Sequence, residues 1–300
     1  MAETVITIVG HNFDSAAETR AAQLVREAGV DGLQLDRLHP GRAIDILLAE
    51  RSSELTALLR RKLASLGGFD VFIQPNDRFR KKKLLIADMD ATIVRQETLD
   101  ELAAHFNLRD KIAPITEKAM RGEIDFQEAL RMRVRLLKGL PLEALFETIS
   151  RIEYSPGAAT LVKAMRCRRV KCVLVSGGFD LFTNHVAATL GFNESFGNQL
   201  EIEEQKLTGE VIPPIIDKYV KEQLVVKQAQ ALGCELQYVV AVGDGANDVP
   251  MLKKAGVGVG YFGKPPVLEA TPHQIRHTDL TAILYMQGYR QEELKTLLLQ

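Results

Sequence analysis

Tryptophan is absent from this 300-residue chain, and cysteine occurs only three times. Cys167, Cys172 and Cys234 are odd in number and not spaced as metal ligands, so neither a disulfide framework nor a zinc knuckle is expected. They fit reduced thiols in a cytoplasmic protein. An excess of one charge is also lacking. Lys and Arg total 38 against 39 Asp and Glu, a net charge of −1, so no global basic field invites nucleic acid. Long apolar runs are missing. The run Val239-Val240-Ala241-Val242 is strand-length, far short of the roughly 20 residues of a membrane span, so no membrane partner is expected. The start, Met1-Ala2-Glu3-Thr4, has no basic n-region, and polar residues return at His11-Asn12, so no signal peptide is expected. The six histidines are scattered without a His-x-x-x-His pair, which leaves no zinc signature.

What is present is ordinary for a globular chain: 46% apolar and 26% charged residues, with length for two domains. Residues 4–74 read as a small α+β unit. Thr4–Val9 is a β-branched run, and Asp14-Ser15 can cap a helix reaching Ala28 before Gly29. Gly32–Leu38 alternates as a strand does, and Arg42–Leu48 reads as another. Ser52 and Ser53 can cap a helix through Leu66, and Asp70–Ile73 is a last short strand. The order βαββαβ is ferredoxin-like. Residues 75–83, with Arg78, Arg80, Lys81, Lys82 and Lys83, read as a linker, and a solvated connector is favoured over an anion patch.

From Leu84 the pattern changes. Leu84–Ala87 ending in Asp88, Lys171–Val175 ending in Ser176, and Tyr238–Val242 ending in Gly243-Asp244 are continuous apolar runs, with Val257–Val259 a candidate fourth. Such runs suit strands buried on both faces of a parallel sheet. Helical stretches Pro156–Arg166, Leu181–Leu190 and Tyr219–Leu232 separate them, giving a doubly wound α/β fold. Ligands in such sheets sit beyond the carboxyl ends of the strands, where polar residues follow three of these runs. The Leu-, Arg- and Glu-rich stretch at about 97–150 reads as an inserted helical cap. The expected division is therefore residues 1–74, a linker at 75–83 and an α/β domain at 84–300.

Asp88-Met89-Asp90 places two carboxylates two residues apart just past a strand. Alone it suits either cation binding or helix capping. Val175-Ser176-Gly177-Gly178 offers a hydroxyl and successive amides as an anion cradle, or a plain turn. Gly243-Asp244-Gly245-Ala246-Asn247-Asp248 packs two acids and an amide behind a buried strand. Hard cations prefer such oxygen donors, and unpaired buried charge is costly as mere structure. Gly258-Val259-Gly260-Tyr261-Phe262-Gly263 fits a dinucleotide loop only in spelling, since no βαβ unit follows. Gly258 to Lys264 nearly spells a phosphate loop, but Pro265 stands where Ser or Thr is needed, so a strand and its exit turn are favoured.

Taken in order, Asp88-x-Asp90-x-Thr92, Ser176-Gly177-Gly178, Lys221 and Gly243 to Asp248 resemble the four motifs of the haloacid dehalogenase superfamily. Asp88 to Glu97, Glu117 to Phe126 with Arg133 beyond, and Val175 to Asp180 resemble its phosphoserine phosphatase family more closely. The likeness spans roughly residues 84–279. Residues 4–74 resemble, by element order, the ACT-type regulatory modules of some longer members. Ala91 departs from the Ser found in many members.

The resemblance implies Mg²⁺-dependent hydrolysis of O-phospho-L-serine, the last step of serine biosynthesis, through an aspartyl phosphate. Asp88 would be the nucleophile and Asp90 the acid–base. Asp88, Asp90 (through its carbonyl), Asp244 and Asp248 would serve the metal, with Asp248 holding a metal-bound water or orienting Lys221. Ser176, Gly177, Gly178, Lys221 and Asn247 would hold the phosphoryl group. Glu97 would take the substrate ammonium and Arg133 its carboxylate, with Met120 and Phe126 closing the pocket. Without the resemblance, Met120 and Phe126 read as plain helix core, and Arg133, in a run with Arg131 and Arg135, as part of a solvated face. The alternative is a phosphatase or phosphotransferase for another small phosphorylated metabolite. Whether a homodimer forms through residues 4–74 is open.

Overall fold

The computed structural model describes residues 3–120 and 123–299, without the side chain of Met120. The first unit runs β1 (Thr4–Phe13), α1 (Ser15–Arg26), β2 (Gln34–His39), β3 (Gly41–Leu48), α2 (Ser53–Leu63) and β4 (Asp70–Pro75). Its strands pair antiparallel in the order β2-β3-β1-β4, the ferredoxin-like arrangement. The Asp14 carboxylate accepts the Ala17 N–H and the Ser52 hydroxyl accepts the Leu55 N–H, so both caps read from the sequence form. Ile6, Ile8, Ile44 and Ile46 alternate toward α1 and α2.

The second unit opens with β5 (Leu84–Asp88), followed by four helices: α3 (Thr98–His105), α4 (Arg109–Met120), α5 (Phe126–Arg135) and α6 (Leu142–Ile149). Then come α7 (Ala158–Cys167), β6 (Lys171–Phe179), α8 (Asp180–Leu190), β7 (Glu194–Glu203), β8 (Lys206–Ile212) and α9 (Lys218–Ala231). The chain closes with β9 (Val239–Gly243), α10 (Val249–Lys254), β10 (Val257–Tyr261), α11 (Pro265–Ala270), β11 (His273–Ile275), α12 (Ala282–Met286) and α13 (Gln291–Leu298). The sheet order is β11-β10-β9-β5-β6-β7-β8, parallel except at β7–β8. β5 is buried on both faces. Leu85 and Ala87 point into the core shared with the cap, while Leu84 and Ile86 meet Leu224, Val225 and Ala229 of α9. Asp88 pairs with Val175, and Ala87 with Val242, so three strand ends stand level.

Two features differ from the sequence reading. The β7–β8 hairpin was not expected, because its strands carry many charges and its turn residues, Glu204 and Gln205, take positive φ (47° and 62°) without glycine or asparagine. The stretch 75–83 is solvated only in part: Arg78, Lys81 and Lys83 are exposed, while Arg80 and Lys82 turn inward. Arg80 pairs with buried Asp45 at 2.6 Å, and the Lys82 ammonium is buried on the Gln237 carbonyl at 2.8 Å, where burial lowers its pKa to about 8. Beside it, Asp70 of β4 accepts the N–H groups of Arg276, His277 and Thr278 and the Thr278 hydroxyl, and Arg42 of β3 pairs with Asp279. Tertiary contacts thus recruit basic residues that composition alone assigned to water.

Candidate active site

The site is assembled where β9, β5 and β6 end side by side. Asp88 closes β5 at 3% exposure, and the turn Met89–Ile93 then swings Asp90 back to the same edge with Ala91 left-handed at φ 51°. Lys221 approaches from the first turn of α9. Asp217 fixes that turn by accepting the N–H groups of Tyr219 and Val220. The Lys221 ammonium, 1% exposed, donates to Asp88 Oδ1 at 2.5 Å and to Asp248 Oδ1 at 2.8 Å. Asp248 Oδ2 accepts the main-chain N–H groups of Asp244 and Gly245, each at 3.1 Å. A Cβ at Gly243 would lie 2.5 Å from the Asp248 carboxyl carbon, so only glycine lets the β9 end meet Asp248.

Asp88, Asp244 and Asp248 bring carboxylate oxygens within 4.8 Å of one another, all buried. Burial pushes the Asp88 carboxyl well up, and Asp248 adds repulsion while Lys221 opposes both. Lys221 loses stability as a cation through burial, but Asp248 and Asp88 outweigh that and keep it protonated. Asp244 is raised by burial and eased by Lys264, whose ammonium lies 2.9 Å from Asp244 Oδ2. Three buried carboxylates around one buried ammonium leave negative charge in excess, and an all-oxygen donor set of this kind fits a hard divalent cation.

Asp90 belongs to a different pair. Its Oδ1 accepts the Thr98 N–H and hydroxyl at 2.8 and 2.7 Å, and its Oδ2 accepts the Ser176 hydroxyl at 2.6 Å. The Gly178 N–H in turn donates to Ser176 Oγ at 2.8 Å. The Asp90 carboxylate therefore stands outside the acid cluster, tethered to the cap by Thr98 and to β6 by Ser176.

The cap reaches over this edge. Phe126 of α5 lies against Gly177, where a Cβ would meet its ring at 3.1 Å. Glu97, just before α3, is raised by burial and by Asp90, with Lys264 opposing. Arg133 of α5 is lowered by burial, with Asp100 and then Glu97 opposing, and its Nε donates to the Ala129 carbonyl at 3.2 Å. Asn247 is exposed on the motif loop, its amide oxygen folded over Gly245. The Met120 side chain lies outside the described residues.

The family pattern of the haloacid dehalogenase-like hydrolases matches residues 85–253. The chain is 31% identical over 305 residues to a phosphoserine phosphatase of Saccharomyces cerevisiae, covering 98% of this chain and 99% of that protein. The chain belongs to the haloacid dehalogenase-like hydrolases. A solved hydrolase of the same family from Salmonella enterica superposes with a TM-score of 0.83 at 29% identity, covering 94% of this chain and 98% of that one. A solved phospho-aspartyl intermediate analogue of phosphoserine phosphatase superposes with a TM-score of 0.64 at 39% identity, covering 68% and 98%.

Within this hydrolase Thr98 and Asn198 escaped the sequence reading, and Lys264 was visible only inside a rejected phosphate-loop spelling. Asn198 of β7 is fully buried; its amide donates to the Gly177 carbonyl at 2.8 Å, and its oxygen accepts the Ile216 N–H at 2.7 Å. It links the Ser176 turn to the segment leading into α9. Lys264 sits in the stretch dismissed as an imperfect phosphate loop. That stretch is indeed strand β10 and its exit, yet its last residue turns back to Asp244. The near-match to a phosphate loop was the only signal, and it pointed to the wrong ligand.

Proposed function

We propose that this hydrolase converts O-phospho-L-serine to L-serine and phosphate, with Asp88 carrying the phosphoryl group and Mg²⁺ held by Asp88, Asp244, Asp248 and the Asp90 carbonyl. The observation that carries the reading is the buried Asp88–Lys221–Asp248 triad beside the separately tethered Asp90–Ser176 pair. Two carboxylates in one site thereby have different partners, as nucleophile and proton carrier require.

A phosphate monoester is a dianion, so its hydrolysis needs positioning and charge neutralisation more than a strong base. Asp88 attacks phosphorus and the bond to the seryl oxygen breaks. Asp90 gives that oxygen its proton. Water then attacks the acyl phosphate, Asp90 takes the proton, and the Asp88 carboxylate is restored with release of phosphate. Lys221 stays charged between its two acids and faces the charge that grows on the phosphoryl oxygens, with Ser176, Gly177, Gly178 and Asn247 as further donors. Bound Mg²⁺ would neutralise the phosphoryl charge and reduce its repulsion from Asp88. A cation beside Asp88 would offset the burial and the Asp248 charge that raise its carboxyl, and so would favour the ionised form that attacks.

Glu97 takes the substrate ammonium and Arg133 its carboxylate in a fork, while Phe126 covers the phosphoryl site. Residues 4–74 form an ACT-like module, a reading supported by the sheet order. The free state of all three cysteines supports a cytoplasmic setting. Among the described residues no helix is long and apolar enough to cross a membrane.

Phosphate release from a panel of small phosphates, with Mg²⁺ and with excess chelator, tests this. Phosphoserine should turn over fastest, and chelation should stop the reaction. Preference for a sugar or nucleotide phosphate would replace the substrate reading, and activity in chelator would remove the metal role.

A further inference from the structure

Lys264, the last residue of the rejected phosphate-loop spelling, is left without a task by the proposed chemistry. Its ammonium lies 2.9 Å from Asp244 Oδ2 and 3.3 Å from Glu97 Oε1, so a single cation spans a core acid and a cap-side acid. Its main chain is pinned. The Lys264 N–H donates to the Asp244 carbonyl at 2.8 Å, and its own carbonyl accepts the Val267 and Leu268 N–H groups that begin α11. Only the four-carbon stem is left to move. The Lys264 and Glu97 side chains are each 50% exposed, so water reaches this pair, unlike the sealed Lys221 triad.

We propose that Lys264 is a specificity-determining residue that occupies Glu97 in the ligand-free site as a stand-in for the substrate ammonium, and gives Glu97 up when that ammonium arrives. The inference rests on the reading of Glu97 given above. Its chemistry follows from three facts. Glu97 shares the edge with Asp90 and Asp244, so it requires a cation whether or not substrate is bound. Arg133 donates its Nε to the Ala129 carbonyl within α5 and is the group assigned to the substrate carboxylate, so it leaves the ammonium position to another donor. A lysine ammonium and an amino-acid ammonium are both compact, strongly hydrated charges, so one replaces the other on a carboxylate at little net cost. After the exchange Lys264 keeps its contact with Asp244. The stand-in therefore lowers the apparent affinity for amine-bearing phosphates, and it leaves phosphates without an amino group unaffected.

The test compares wild type, Lys264→Met and Lys264→Arg on phosphoserine and on 3-phosphooxypropanoate, which has the same carbon skeleton without the amino group. Lys264→Met should lower KM for phosphoserine about two- to fivefold, the range an ion pair this exposed supplies, with kcat within about twofold. KM for the des-amino compound should not move. Lys264→Arg, which keeps the charge, should retain the wild-type ratio of the two KM values. Calorimetry of phosphoserine binding without metal should show the same tightening in Lys264→Met. A rise in KM for both compounds would make Lys264 a phosphate or metal contact and overturn the proposal. Equal shifts for both compounds, or no shift, would overturn it too. Failure of wild type to hydrolyse phosphoserine while another phosphate turns over is a distinct result, which removes the substrate reading and this inference with it.

Discussion

Replacing Lys221 by methionine keeps the stem and deletes the ammonium. Asp88 and Asp248 would then face each other at 4% and 0% side-chain exposure without their common partner. Stripping one partner from a buried ion pair typically costs about 3–5 kcal/mol, because the remaining charge is left uncompensated. The helix should stay packed through Leu224, Val225 and Ala229, which bury against β5 and β6 independently of the ammonium, so the loss should be electrostatic. That makes it reversible in part. Adding Asp248→Asn removes one of the two stranded charges, and the double variant should recover about 1–3 kcal/mol relative to the sum of the single losses. Urea denaturation followed by circular dichroism at pH 7, with chelator present, reads both quantities. Turnover should fall about 10²–10³-fold in Lys221→Met, the usual effect of removing one donor aimed at developing charge. A loss below about 1 kcal/mol, or strict additivity in the double variant, would show that the triad is not the charge-coupled unit its 2.5 and 2.8 Å contacts describe.

Asp88→Asn should abolish phosphate release while the circular dichroism spectrum and denaturation midpoint stay near wild type; retained turnover would remove Asp88 as the nucleophile. Arg133→Ala should raise KM for phosphoserine at least tenfold more than for an aryl phosphate, and equal losses would mean that Arg133 does not read the carboxylate. Asn198→Ala severs the link between Gly177 and Ile216 and should weaken inorganic phosphate binding about tenfold, measured by product inhibition; unchanged inhibition would leave Asn198 a purely structural residue. His273 is fully buried and pushed down to about 3 by burial, with Arg60 and Lys82 adding to the effect, so it stays neutral in the fold while the unfolded chain takes a proton below about 6.5. Stability should therefore fall as pH drops from about 6.5 toward 3, by about 2 kcal/mol between pH 7 and 5 from this group. His273→Leu should flatten that limb in urea midpoints measured across the range.

The acids of the site were legible because a parallel sheet delivers them in short contiguous motifs. Asp88, Ser176 and Asp244 each follow an apolar run, and three such runs ending in polar residues already imply one shared edge. Lys221 carried no local signal, and only the ordered resemblance singled it out. Asn198 was illegible for a different reason. Its partners are main-chain groups 18 and 21 residues away, and no side-chain spacing encodes those. Lys264 was visible but misjudged, since the phosphate-loop comparison tested it against the wrong ligand. Arg80 and Lys82 looked solvated because composition cannot reveal that Asp45 and the Gln237 carbonyl wait in the tertiary structure. The β7–β8 turn was missed because Glu204 and Gln205 accept a left-handed backbone without the residues that usually advertise it.

The Asp70 carboxylate has a consequence for how this chain can be cut. It is the acceptor for three successive N–H groups at 276–278, while Arg42 grips Asp279 and the neighbouring Leu280 N–H hooks the Pro156 carbonyl at the foot of the cap. Deleting the first 75 residues would strand those amides and loosen the far anchor of the cap, so the leading sheet serves as a foundation stone of the hydrolase and not as an ornament hung on its flank.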